Sequence, residues 1–194
     1  MSAYTLALFV HVIGALGMFA GFGTWFIGLI ALRRAERVEQ VRTITTLLAL
    51  AHSVGAGSVV LVIVPGVYMA LTNWSLQTSW IAVSIAGVLV AAPIGSRLID
   101  DRVKALGAVA RETPDGALPT ELAARTHDPV IGTAMHVNSL LVVGIIFLMT
   151  IKPPLLESII TMVGALALGL LSSLPFWLAA LARKRAVVTH ARNQ

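Results

Sequence analysis

Residues 9–25 read FVHVIGALGMFAGFGTW. Apart from one histidine, His11, every residue in this stretch is apolar or small. A surface helix of a soluble domain needs a polar face, and this stretch has none. The apolar run that contains it extends from Tyr4 to Leu32. At about 1.5 Å per residue that is enough helix to cross a hydrocarbon core of about 30 Å.

Working outward, four more such runs follow: 43–71, 79–99, 130–151 and 155–182. The chain of 194 residues is 57% hydrophobic and only 12% charged. Soluble domains carry about 25% charged residues, so the excess apolar surface must face lipid. None of the runs alternates apolar with polar residues, which excludes the strands of a membrane barrel. Inside lipid each backbone group needs an internal partner, which leaves helices. The sequence therefore predicts an all-α bundle of five transmembrane helices, forming one domain over residues 1–194.

Orientation follows from the basic residues. Arg33, Arg34, Arg37 and Arg42 separate the first two runs. Arg97, Arg102, Lys104, Arg111 and Arg125 separate the third and fourth, and Arg183, Lys184, Arg185 and Arg192 follow the fifth. The other two connections hold only Lys152. The positive-inside rule puts the basic side in the cytoplasm, with the N-terminus outside and the C-terminus inside. The same rule accounts for the net charge of +5 without invoking nucleic acid, since basic loops sit against an anionic leaflet. The first run has no basic n-region and is longer than a signal-peptide core, so it reads as a signal anchor. A bacterial inner-membrane location is expected.

The longest polar break, 100–129, reads as a modest cytoplasmic loop. Pro114, Gly116 and Pro119 predict turns around Asp115, and Thr120 before ELAAR reads as the cap of a short helix. GMFAGFG has neither dinucleotide-loop spacing nor the lysine of a P-loop.

Cysteine is absent, which removes thiolate metal sites, Cys-held iron–sulfur clusters and disulfides. Asp, Glu, Lys and Arg are missing from the middle of every run, so a carboxylate relay has no evident members. Three histidines are left inside runs: His11, His52 and His136. His127 falls in the loop and His190 in the tail. A membrane imidazole is either a hydrogen-bonding strut between helices or a ligand. Three of them on three helices point toward a shared cofactor, and imidazole is the usual ligand of b-type haem and a good one for copper.

Depth sets the pairing. His52 lies about 14 Å and His136 about 9 Å from the cytoplasmic side, while His11 lies about 10 Å from the outer side. His52 and His136 are thus the expected axial pair. His11 is a second site, an alternative partner, or a lone hydrogen-bonding group. Gly14, Gly17 and Gly21 after His11, and Gly55 and Gly57 after His52, either let helices approach or clear room for a macrocycle. Asn138 either binds a propionate or orients a ligand, or it ties two helices together. Met18, Met69, Met135, Met149 and Met162 suit copper(I) or ordinary core filling. Tyr4, Trp74 and Trp80 fall where an outer aromatic belt is expected.

LFVHVIGALGMFAGFG, the histidines of the second and fourth runs, and FLMTIKPP resemble a bacterial family of predicted integral membrane proteins, of the domain of unknown function 2269 type. That family is similar to the copper resistance protein D group and to the HemJ-type membrane protoporphyrinogen oxidases. The resemblance implies a helical bundle with histidine-ligated b haem, or copper handling. It matches His11 to the first-run histidine of the broader group and carries His52 and His136 as further ligands. HemJ-type enzymes have an arginine soon after that histidine, and GMFAGFGTWFIG has none.

The resulting expectation is a haem b protein serving electron transfer or a haem-linked redox step. It would lie in the lipid bilayer with a redox partner or larger complex, or as a homo-oligomer. A metal or small-solute permease and a cofactor-free accessory subunit are the competing expectations.

Overall fold

The computed structural model describes residues 2–192, with side chains through Arg183. His190, Lys184, Arg185 and Arg192, assigned above to the tail, lie outside the described side chains. The described chain is helical throughout: α1 (Ala3–Arg33), α2 (Val38–Asn73), α3 (Ser79–Pro93), a π-helical segment (Ile94–Asp100), α4 (Asp101–Glu112), α5 (Thr120–Thr126), α6 (Pro129–Ile151) and α7 (Leu155–Arg192). Five helical stretches are long and apolar enough to span a membrane. These are α1, α2, the α3–π–α4 rod, the α5–α6 stretch and α7.

Two antiparallel pairs, α1 with α2 and α6 with α7, make the most extensive contacts. The α3–π–α4 rod joins them, with α3 and the π segment on α6 and α4 on α2. Glycine sets the first pair. A Cβ on Gly14 would stand 2.8 Å from the backbone of Leu61 and Val62, and one on Gly28 would collide with Leu48. A Cβ on Gly17 would collide with Ser58 Oγ, while Gly21 faces Gly55 at ordinary contact distance. These residues recur on one helix face, so the α1 glycines serve helix approach, the first of their two sequence readings.

The main core lies at the end of the bundle that carries the basic residues, here the basic end. Leu32, Val41, Leu48, Val103, Leu106, Ala110, Ile131 and Met135 are fully packed there. The connections above this core are knit together. Val38 N–H donates to Gly116 O and Leu118 N–H to Glu36 O. Arg42 donates to the Ala110 and Thr113 carbonyls at the end of α4 and pairs with Asp115 at 2.8 Å. Gly116 makes the turn with φ 145°, a conformation that side-chain-bearing residues avoid. At the far end, Lys152 Nζ lies 4.7 Å from the Trp74 ring, which meets Trp80 edge-on.

The segment expected as a loop over 100–129 is mostly helix. The third span does not end at Ile99 but runs through Asp100 to Glu112, where Thr113–Pro114 stops it. Pro93 lacks an N–H and breaks the α ladder, and the wider π turn begins directly after it. The short helix after Pro119 also differs in detail. Thr120 is its first residue rather than its cap, and Pro119 precedes it with no side-chain cap.

Candidate functional site

Each intramembrane histidine turns its Nδ1 toward an oxygen on another helix. His11 Nδ1 lies 2.7 Å from the Val62 carbonyl on α2. A carbonyl only accepts, so Nδ1 carries the proton and Nε2 keeps its lone pair. Gly66 makes room, since a Cβ there would stand 3.1 Å from Nδ1. The contact falls next to Pro65 of α2, at the level where Gly14 lets α1 approach Leu61 and Val62.

His136, on α6, sits between two phenyl rings. Phe26 of α1 is 5.4 Å away and Phe176 of α7 is 5.0 Å away, edge-on. Its Nδ1 is 2.9 Å from Ser172 Oγ. The Ser172 hydroxyl donates its one proton to Gly169 O at 3.0 Å, so it accepts from His136 Nδ1–H. Nε2 of His136 is again the lone-pair nitrogen.

His52, on α2, faces the third span. Its Nδ1 lies 3.5 Å from Asp100 Oδ1, an ion-pair distance rather than a short hydrogen bond. Asp100 Oδ2 receives Lys104 Nζ at 2.6 Å. The Asp100 side chain is 8% exposed. It is the buried carboxylate absent from the sequence reading, because the third run was closed one residue before it. The signal available was the spacing of Asp100 and Lys104, one helical turn apart.

No hydrogen bond or ring contact joins any two of the three histidines among the described residues. Nor do the described residues hold a group of three or more His, Asp or Glu placed for a metal ion. Asn138 is two positions from His136 and so on the opposite side of α6. It is buried, faces Gly95 in the π segment, and its Oδ1 has no partner. Met135, Met149 and Met162 pack in apolar clusters.

Two cavities adjoin these groups. One, of about 220 Å³, lies between α1 and α6. Phe19, Phe22, Gly23 and Phe26 form one wall, and Ser139, Val142 and Val143 form the other. Residues 136, 139 and 143 share a helix face, so His136 stands one turn below this slot on its own wall. The second, of about 270 Å³, is more polar than the first and lies at the basic end, where Trp25, Ala49 and Val103 line it together with Asp100, Lys104 and Arg111.

A family model described as predicted integral membrane protein (DUF2269) matches residues 5–153. The chain belongs to that family. The part of this DUF2269 protein that matches carries all three histidines and Asp100, whereas Ser172 and Phe176, which hold His136 from α7, lie beyond it. No curated protein and no solved structure was found to match the chain.

Proposed function

We propose that this DUF2269 protein binds haem b in the bacterial plasma membrane and serves electron transfer, with its basic end in the cytoplasm. The observation that carries the reading is the fixed tautomer of two of its histidines, His11 and His136. A metal-ligating histidine donates one ring N–H to a carboxylate, carbonyl or similar acceptor and ligates through the other nitrogen. His11 and His136 are both held in that form, and His52 presents Nδ1 to a carboxylate. His136 is the residue on which the proposal rests, because it stands one turn below an apolar, aromatic-walled slot and packs on Phe26 of its wall.

The slot suits a flat apolar group, with phenyl walls and a glycine, Gly23, and the His136 imidazole one turn below it would supply the metal ligand. The slot of about 220 Å³ is smaller than the about 300–1,000 Å³ usual for ligand sites. Helix α1 leans mainly on α2 and touches α6 at few points, so a larger group would have to be admitted by movement between α1 and α6. Bound haem would supply a one-electron couple. The chain would fix the His136 ring through Ser172, hold it between Phe26 and Phe176, and keep water from the slot. Contacts tie His52 to the third span rather than to His136, so its part as the second ligand depends on that movement.

The test is a visible spectrum of purified protein, as isolated and after dithionite. A Soret band that shifts on reduction and is lost in His136→Ala supports the reading. A flat spectrum from folded protein, unchanged after haemin is added, rejects it.

One observation favours a second reading, a permease for a small solute or metal ion. His52, Asp100 and Lys104 form an ionisable cluster beside the second cavity at the basic end. Ionisable groups at membrane depth often mark a path. Uptake into proteoliposomes that is lost in Asp100→Asn would select it.

A further inference from the structure

Arg33 ends α1 in an unusual setting. Its guanidinium carbon lies 4.0 Å from the centre of the Phe176 ring. On the other side α6 makes room for it, because a Cβ on Gly132 would collide with Arg33 Nη2. Nε is shut off from solvent and has no hydrogen-bond partner. Among the described residues no carboxylate pairs with Arg33 within 4.0 Å.

The charges that act on Arg33 are Arg183, from α7, and Asp128. Asp128 is already committed. Its Oδ2 takes Arg102 Nη1 at 2.7 Å, and its Oδ1 accepts from Val130 N–H at the start of α6. Arg183 adds a like charge. Arg183 is seven residues after Phe176, two turns further along the same face of α7, so both guanidinium groups belong to that face, beside the positive end of α6. Nε is sealed off, and no hydrogen bond to the Arg33 Nη groups is found among the described residues, so an acceptor at those groups is the missing element.

We propose that Arg33 and Arg183 form a phosphate-oxyanion site between α1, α6 and α7, filled by the headgroup of an anionic phospholipid in the leaflet at the basic end. Planar guanidinium groups match the oxygens of a phosphate. The acyl chains have a surface beside it, for Leu170, Leu174, Trp177, Leu178 and Leu181 of α7 are all exposed. A free phosphate offers the same oxyanion without the chains. The inference does not depend on haem.

The experiment uses the full chain in detergent. Retention of added phosphatidylglycerol is read by native mass spectrometry and its protection by the thermal midpoint, beside phosphatidylcholine and inorganic phosphate. The wild type is expected to retain phosphatidylglycerol and not phosphatidylcholine. Arg33→Gln, and Arg183→Gln at its exposed position, should weaken retention about tenfold, the scale of one lost charge-assisted hydrogen bond. Arg34→Gln, the exposed neighbour, should not. Equal protection by inorganic phosphate would keep the oxyanion site and assign it to a soluble phosphate. Unchanged retention in folded Arg183→Gln and Arg33→Gln, or an equal loss in Arg34→Gln, would overturn the proposal.

Discussion

His11 and His136 share a tautomer but not a setting, and substitution should separate them. His11 donates to a backbone carbonyl beside the Pro65 turn, a contact any comparable donor supplies. Removing one such bond costs about 1 kcal/mol. His11→Ala should therefore lower the thermal midpoint in detergent modestly, and His11→Gln should recover part of the loss. Neither should alter a haem spectrum if His136 is the ligand. His136 is different, because Ser172 and two phenyl rings fix it where a smaller residue would leave a gap. Ser172→Ala frees the ring without deleting it. In haem-loaded protein that change should broaden or shift the Soret band while His136→Ala abolishes it. An unaltered band in Ser172→Ala would mean that the hydroxyl does not position the imidazole.

At the scale of elements, α1 and α2 stand or fall by the close approach at Gly14. Leu61 and Val62 offer backbone there, which cannot swing aside as a side-chain tip does. Gly14→Ala should destabilise the protein by about 1–3 kcal/mol, the usual cost of overpacking. Gly57→Ala on α2 is the matched control. Nothing lies within 4 Å of a Cβ at Gly57, so the change should be neutral or slightly stabilising. Equal losses in the two variants, read as thermal midpoints, would show that the Gly14 contact does not govern the pair. Sequence reading reached the five spans because length and hydropathy alone decide them. It did not reach the pairing of α1 with α2 through glycine, since small residues serve packing and ligand clearance alike. Nor did it reach Asp100. The hydropathy of the third run falls at Ile99, but the helix continues because neither Gly nor Pro follows until Gly107 and Pro114. The partners of His136 were equally hidden, since Phe26 and Ser172 stand 110 and 36 positions away in sequence.

For the whole molecule the open quantity is which end faces the cytoplasm, and charge supplies the expectation. Thirteen of the fourteen lysines and arginines cluster in the sequence segments of one end, and Lys152 alone belongs to the other. Lys152 is held there above Trp74 and Trp80, in the ring of aromatics expected where a bundle leaves the hydrocarbon. If the rule of positive loops holds, residues 113–119 are cytoplasmic and residues 74–78 lie outside. The chain has no cysteine, so a single introduced thiol reports without background. Ser75→Cys sits in the exposed far-end turn, and Asp115→Cys sits in the loop that Arg42 binds. A membrane-impermeant maleimide added to intact cells should label Ser75→Cys and leave Asp115→Cys unlabelled until the cells are broken. The reverse pattern would place the basic end outside. The phosphate site at Arg33 would then face the outer leaflet, and the cavity around Asp100 would open away from the cytoplasm.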